Sequence, residues 1–333
     1  MRAVLCKEFG SHRNLAVEEV PPPPDPGPGQ VKIAVKAAGL NFADLLMVGG
    51  SYQEKPALPF SPGLEAAGTI VACGPGVARV KPGDRVMATV DHGAFAEQAL
   101  ARESDVHKLP DGIDDVTAAG FAIAYGTAQG ALRWRADVKP GETVLIHGAG
   151  GGVGLAAVEV AKAMGAVVIA TAGDADKLAI AKAHGADHLI DYKTETLRTR
   201  IKEICAKLNG GGGVDVVYDP VGGEVFDQSL RCANWSGRLV IIGFASGTVP
   251  QIPANYLLVK NLSVLGLYWG SYRKHRPDLV ADGFAELFAW HRDGRLKPHV
   301  SETLDLAQAA TALDLIKTRR STGKVVLTTG GAA

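Results

Sequence analysis

The 333-residue sequence predicts an α/β protein: a doubly wound parallel sheet preceded by a mostly β region. Three observations carry that expectation. From about residue 141 onward, short apolar runs alternate with stretches of helical periodicity, the pattern of βαβ units whose sheet is covered on both faces. A glycine-rich turn, Gly148-Ala149-Gly150-Gly151-Gly152-Val153-Gly154, follows the first of those runs and opens a helix. The first 120 or so residues read instead as strands and turns punctuated by Gly and Pro.

The N-terminal part begins with a strand over Met1–Glu8, which lacks the long apolar segment of a secretory signal. The proline-rich stretch Pro21–Gly29 lies between two strand signals and reads as a rigid connection. Val31–Ala37, with period-2 character, Gly68–Gly74 and Asp84–Ala88 are the next strands. Val80-Lys81-Pro82-Gly83-Asp84 and Val138-Lys139-Pro140-Gly141-Glu142 use the same turn chemistry twice without making an internal repeat. The alternating region then predicts strands at Thr143–His147, Ala166–Thr171, Asp187–Asp191, Val214–Tyr218 and Arg238–Gly243. Helices are expected at Val153–Met164, Asp176–His184, Thr196–Lys207 and Glu224–Cys232. One more strand (Leu262–Leu267), two helical stretches and a last strand (Lys324–Thr328) are too few for a third domain and return to complete the first.

Composition excludes several classes. With 35 basic and 35 acidic residues, the chain has no electrostatic footprint for nucleic acid or an anionic membrane. No apolar run approaches the roughly 20 residues that span a bilayer. Cys6, Cys73, Cys205 and Cys232 lie far apart without a CxxC pair, which fits a reducing, cytoplasmic setting.

A glycine-rich turn alone is weak, because glycines mark ordinary turns too. Here it follows the strand Val144-Leu145-Ile146 and precedes a helix, as the Rossmann dinucleotide fingerprint requires. Read as Ala149-x-Gly151-x-x-Gly154, the pattern allows the sharp turn, close approach of a pyrophosphate and close helix–strand packing. The helix N-terminus offers free N–H groups and partial positive charge to the phosphates. NAD-selective sites place a carboxylate at the end of the next strand. This strand ends Ala170-Thr171-Ala172-Gly173, and Lys177 is close enough in sequence to meet a 2′-phosphate, which favours NADPH. Lys177 also fits an ordinary solvated helix lysine, and Asp174 and Asp176 oppose a strongly positive pocket.

Gly39-Leu40-Asn41-Phe42-Ala43-Asp44, Pro62-Gly63-Leu64-Glu65-Ala66-Ala67-Gly68, Gly83-Asp84-Arg85-Val86, His147–Gly154 and Thr322-Gly323-Lys324-Val325 together resemble the medium-chain dehydrogenase/reductase superfamily, end to end and in order. Within it they resemble the zinc-free NADPH:quinone oxidoreductase (zeta-crystallin-like) branch. The resemblance implies a GroES-like, mostly β catalytic domain from residues 1–122, a Rossmann NADPH-binding domain from 123–260, and a return over 261–333, with the active site in the cleft. It also implies a homodimer, with the strand at 262–267 extending the Rossmann sheet at the interface; a buried strand of a monomer would look the same. Zinc-dependent relatives carry a ligand Cys in G-x-C-x-x-D and a ligand His in G-H-E. Asn41 and Leu64 stand there instead, no cysteine lies between Val86 and Glu97, and the nine histidines make no zinc motif, so no metal is expected.

By the same resemblance, Asn41 and Tyr52 line the acceptor pocket as amide and phenol donors, and Asp44 orders their loop. Leu46 stands where some relatives have a second tyrosine. Thr127 matches a residue near the nicotinamide; Lys177, Tyr192 and Arg319 match positions round the 2′-phosphate, although Tyr192 and Arg319 also fit ordinary surface packing. Gly243, Phe244 and Ser246 fall where the last Rossmann strand meets the cofactor, together with Gly150, Gly152, Val153 and Gly173 of the turn region. The function implied is hydride transfer from NADPH to a quinone, the developing oxyanion being met by hydrogen-bond donors or water. An activated C=C (enone, 2-alkenal or acryloyl-type ester) is the alternative acceptor and would need a proton from Tyr52 or water. A non-catalytic NADPH-binding protein, as where this family serves as a lens structural protein, is the alternative from another class.

Overall fold

A computed structural model describes residues 1–209 and 212–330 and divides the chain into two compact units. The first comprises Met1–Ile123, Arg273–Phe284 and the segment from Pro298; the second comprises Ala124–Tyr272 and Ala285–Lys297. The last boundary therefore differs from the expected return at 261. Residues 263–266 are a strand of the parallel sheet, and the Leu267 N–H continues its pairing to Ile241 O at 3.1 Å. The Lys297 N–H is held by the Glu159 carboxylate at 3.0–3.1 Å, and Arg295 donates to Ala163 O, which keeps 285–297 with the second unit.

The chain opens with β1 (Arg2–Leu5) and β2 (Ala16–Glu19), an antiparallel pair. Then come β3 (Gln30–Gly39), α1 (Phe42–Val48), β4 (Glu65–Cys73), β5 (Arg85–Thr89), β6 (Gln98–Arg102), β7 (Val106–Lys108) and α2 (Asp115–Ala119). After α3 (Ala122–Gln129) the alternation begins: β8 (Thr143–Ile146), α4 (Gly152–Ala163), β9 (Val167–Ala172), α5 (Ala175–Ala183), β10 (His188–Asp191) and α6 (Leu197–Asn209). It continues with β11 (Val214–Asp219), α7 (Glu224–Cys232), β12 (Ala233–Ile241), α8 (Ala254–Lys260) and β13 (Ser263–Gly266). The tail is α9 (Trp269–His275), α10 (Pro277–Arg292), β14 (Val300–Asp305), α11 (Ala309–Lys317) and β15 (Lys324–Thr328). The expected strand over Arg238–Gly243 starts earlier, at Ala233, and ends at Ile241, so Gly243 lies in the following loop.

In the first unit the sheet runs β14-β15-β3-β4-β5-β7, with β6 also on β3. The alternation read in β3 is the alternation of the fold: Val31, Ile33 and Val35 point into a core with Val86, Ala88, Val325 and Leu327. In the second unit all six strands are parallel and run β10-β9-β8-β11-β12-β13. Every residue of β8 is buried, because helices cover both faces; that is why the strand reads as an unbroken apolar run. The order reverses between β8 and β11, and in such sheets ligands bind beyond the strand C-termini at that reversal. Among the described residues, no helix is long and apolar enough to cross a membrane.

Candidate active site

In the second unit the glycine turn leaves β8 at the reversal point. Gly148 takes φ +60°, a conformation only glycine adopts without strain, and the Ala149 N–H donates to Thr171 O of β9 at 3.0 Å. A Cβ on Gly154 would lie 2.2 Å from Gly148 O, so the first turn of α4 sits directly on the loop it leaves. Gly151 precedes α4 in an extended conformation, and Gly152 and Val153 begin the helix, leaving their N–H groups at its N-terminus. A Cβ on Gly150 would meet Lys177 Cβ at 2.6 Å, and one on Gly173 would meet the Tyr192 hydroxyl at 2.5 Å. The structure thus pairs Gly150 with Lys177 and Gly173 with Tyr192, beyond the ends of β8, β9 and β10. At both glycines the missing Cβ lets a neighbouring side chain pack on the backbone; the start of α4 at the strand reversal is what fits the pyrophosphate of a dinucleotide. Lys177 lies 3.5 Å from Asp174, so its ammonium has an acidic neighbour as well as a cationic role to offer.

The buried Asp219, last residue of β11, accepts from the N–H groups of Val221 (2.7 Å) and Gly222 (3.0 Å), shaping a loop at φ +70° and +58° for Gly222 and Gly223. Cβ atoms there would meet Phe244 at 3.1 Å and Ser246 Oγ at 3.0 Å. Phe244 and Ser246 therefore pack on this loop, and Gly243 precedes them. Asp219 was not among the residues the sequence singled out, although Asp219-Pro220-Val221-Gly222-Gly223 carries the same strand–turn–helix signal as the first turn. Thr127 is buried in α3. Arg319 belongs to the first unit, just past α11, with a left-handed φ of 57°.

The first unit builds a second cluster. Gly39 of β3 is paired with Glu65 of β4 and Val326 of β15, so the register of three strands sets Glu65 and Lys324 beside the Asn41 loop. A Cβ on Gly39 would lie 2.2 Å from Ala119 O and 2.7 Å from Glu65 Oε1, which explains the glycine. Lys324 Nζ donates to Leu40 O, Asn41 Oδ1 and Glu65 Oε1, each at 2.7 Å. Asn41 Nδ2 donates to Glu65 Oε1 at 2.9 Å, and Glu65 Oε2 accepts from the Ile123 N–H at 2.8 Å. The amide that the sequence offered whole to an acceptor has its oxygen and one N–H already engaged. The reason is three-dimensional: Glu65 and Lys324 converge on it from strands far away in sequence.

Asp44 follows in α1, fully buried, with Oδ2 accepting from the Asn41 N–H at 2.7 Å, so it orders the start of the helix. Burial pushes its carboxyl up to about 7; the Asn41 N–H and the Lys324 charge pull the other way, and the Glu65 charge adds to the rise. Leu64 packs with Cys6, Met47, Val48 and Phe60, and Tyr52 lies partly buried against that apolar group. Glu65 and Lys324 stood in the motifs Gly63-Leu64-Glu65 and Gly323-Lys324-Val325; no local spacing announced their partnership.

The family model for alcohol dehydrogenase GroES-like domains matches residues 27–111, and that described as zinc-binding dehydrogenase matches residues 152–285. The chain is 41% identical over 330 residues to a quinone oxidoreductase-like protein 2 homolog of Nematostella vectensis, covering 98% of this chain and 89% of that protein. Its fold superposes on the Escherichia coli quinone oxidoreductase complexed with NADPH at a TM-score of 0.89, with 32% identity over 99% of this chain and 100% of that one. A 2-haloacrylate reductase superposes at 0.86, with 33% identity over 99% and 100%. The chain therefore belongs to the quinone oxidoreductase branch of the medium-chain dehydrogenase/reductase superfamily, a family of oxidoreductases.

Proposed function

We propose that the protein transfers hydride from NADPH to a quinone without zinc. The observation that carries this reading is the donor set of the Asn41 loop. Asn41 stands where the zinc enzymes have a thiolate, with its amide oxygen held by Lys324. Leu64 stands where they have an imidazole, and it is packed among apolar side chains. Neither offers a lone pair that Zn²⁺ favours. An acceptor reduced here has no Lewis acid to activate it and must already be electron-poor.

Bound NADPH supplies the hydride; the chain's own residues bind and orient. The glycine turn from Ala149 to Gly154 would hold the pyrophosphate with the N–H groups left at the start of α4, Gly173 would lie beside the ribose, and Lys177 with Tyr192 would face the 2′-phosphate. Thr127, Gly243, Phe244 and Ser246 would contact the cofactor, and Arg319 is a candidate for the phosphate by the family resemblance alone. Asn41 donates its remaining N–H to the acceptor oxygen, Tyr52 offers its phenol, and Asp44 keeps their loop in place. A hydroquinone product draws its protons from water, so no tuned acid is required. The similarity to a structure that binds NADPH supports the cofactor. The four cysteines are unpaired thiols, which accords with a cytoplasmic setting.

The similarity to 2-haloacrylate reductase favours a second reading, reduction of activated C=C bonds, with Tyr52 or water as proton source. NADPH oxidation measured with 1,4-benzoquinone, 9,10-phenanthrenequinone, 2-alkenals and 2-haloacrylate separates the readings. Quinones are expected to be turned over fastest. An advantage of alkenals or haloacrylate by orders of magnitude would overturn the quinone assignment, and no oxidation with any acceptor would leave a binding protein.

A further inference from the structure

Lys324 and Glu65 are the two charged groups of the buried cluster to which the proposed chemistry assigns no task. Both are almost wholly buried, at 6% and 0% exposure, and burying two charges is costly unless every partner is in place. Every partner is in place. The three N–H bonds of the Lys324 ammonium are matched by three acceptors at 2.7 Å, so it has none left for a substrate. Both oxygens of Glu65 are engaged as well, Oε1 with Lys324 and Asn41, Oε2 with the Ile123 N–H. Whatever this pair does for a bound acceptor, it does through Asn41.

We infer that Lys324 and Glu65 are positioning residues that lock the Asn41 carboxamide in one orientation, leaving a single N–H to donate to the carbonyl oxygen of the acceptor. This rests on Asn41 being the acceptor contact proposed above. An unconstrained amide can flip by half a turn at little cost. Here a flip would set the Asn41 NH₂ against an ammonium and its oxygen against a carboxylate, so electrostatics permits one state only. Asn41 stands at the N-terminus of α1, where the Asp44 carboxylate accepts its backbone N–H, so the start of the helix fixes the residue that carries the amide. The Lys324 charge on Oδ1 withdraws electron density from the amide, which makes the uncommitted N–H a stronger donor to a developing oxyanion. The lock needs no metal and no movement.

A purely structural ion pair, tying β15 to β4, would show the same distances, and kinetics distinguish the two. The test compares Asn41→Ala, the charge-neutral pair Lys324→Met with Glu65→Gln, all three changes together, and Lys324→Arg, using a quinone acceptor. The neutral pair leaves no unpaired buried charge, and retained NADPH binding reports that the protein is folded. The expected result is a 10- to 100-fold loss of kcat/KM for the quinone in the neutral pair, about what a small misplacement of a contact group costs, with KM for NADPH unchanged. Added to Asn41→Ala, the same pair should bring no further loss, because it acts only through Asn41. Lys324→Arg, which retains the charge, should keep most of the rate. Losses that multiply, or a neutral pair with the wild-type rate, overturn the inference. An Asn41→Ala variant that retains full activity overturns the acceptor contact itself, and the two failures are distinct.

Discussion

At the scale of single residues, the close approaches at the glycines make the sharpest expectations. Gly150→Ala puts a methyl 2.6 Å from Lys177 Cβ, an atom fixed to the backbone of α5. Overpacking of that kind costs about 1–3 kcal/mol, so the Kd for NADPH, followed by fluorescence titration, should rise about tenfold or more while the fold persists. Lys177→Met keeps the stem that covers Gly150 and deletes the charge. The KM for NADPH should rise about tenfold with that for NADH nearly unchanged, and an equal effect on both cofactors would remove Lys177 from the phosphate site. Asp44 gives a pH dependence whose sign follows from its raised carboxyl. Between about pH 4, where the unfolded chain releases the proton, and about pH 7, where the folded protein does, the native state holds more protons. Its stabilising contribution is present below that window and is lost as pH rises through it, with a slope of at most about 1.4 kcal/mol per pH unit. Asp44→Asn, which can still accept from the Asn41 N–H, should flatten that part of the curve of Tm against pH; an unchanged slope would show that Asp44 is ionised throughout.

At the scale of elements, the glycine turn is braced from below. The buried His147, last residue before the turn, bridges Thr171 Oγ1 of β9 at 2.9 Å and Ser229 Oγ of α7 at 2.8 Å. Ser229 donates its own proton to Val225 O at 2.7 Å, so it accepts from His147 Nε2–H, and Nδ1 accepts from Thr171. Burial lowers the His147 pKa, against the opposing charge of Asp219, which keeps the ring neutral and this tautomer in place. Ser229→Ala would leave a buried N–H unpaired, a cost of about 1–3 kcal/mol, visible as a lower denaturant midpoint together with weaker NADPH binding. Wild-type values for both would mean that the bridge carries no strain-bearing role. The alternation from β8 to β12 was legible because parallel strands buried on both faces have to be apolar throughout, and helices between them keep their own period. β14 was not: its half-buried and exposed residues follow no clean alternation, and it pairs in parallel with β15 at the rim of the sheet. β6 and β7 were also not legible, since short strands flanking turns carry too few residues to show a period.

At the scale of the molecule, β13 is the outer strand of the parallel sheet, and α8, which leads into it, exposes Leu258 and Val259 at 79% and 77%. A strand at the rim of a sheet, beside exposed aliphatic side chains, invites pairing with a second copy, and the family resemblance points to the same strand. The protein is therefore expected to run as a homodimer in size exclusion with light scattering. The double variant Leu258→Glu, Val259→Glu should shift it toward the monomer without loss of secondary structure; a monomeric wild type would refute the dimer.

The sequence by itself determined the class of fold, the place of the glycine turn and the types of residue that stand where the zinc-dependent relatives carry their ligands. Those features are local: a glycine that must turn, a strand that must be apolar, a leucine that cannot ligate. Tertiary structure alone decided the company kept by Asn41. The register that sets Gly39 opposite both Glu65 and Val326 brings a carboxylate and an ammonium from distant strands onto one amide. Long-range convergence of this kind has no period and no fixed spacing, since it depends on which strands lie side by side. The last domain boundary was hidden for the same reason: nothing local in residues 285–297 shows which unit that stretch joins.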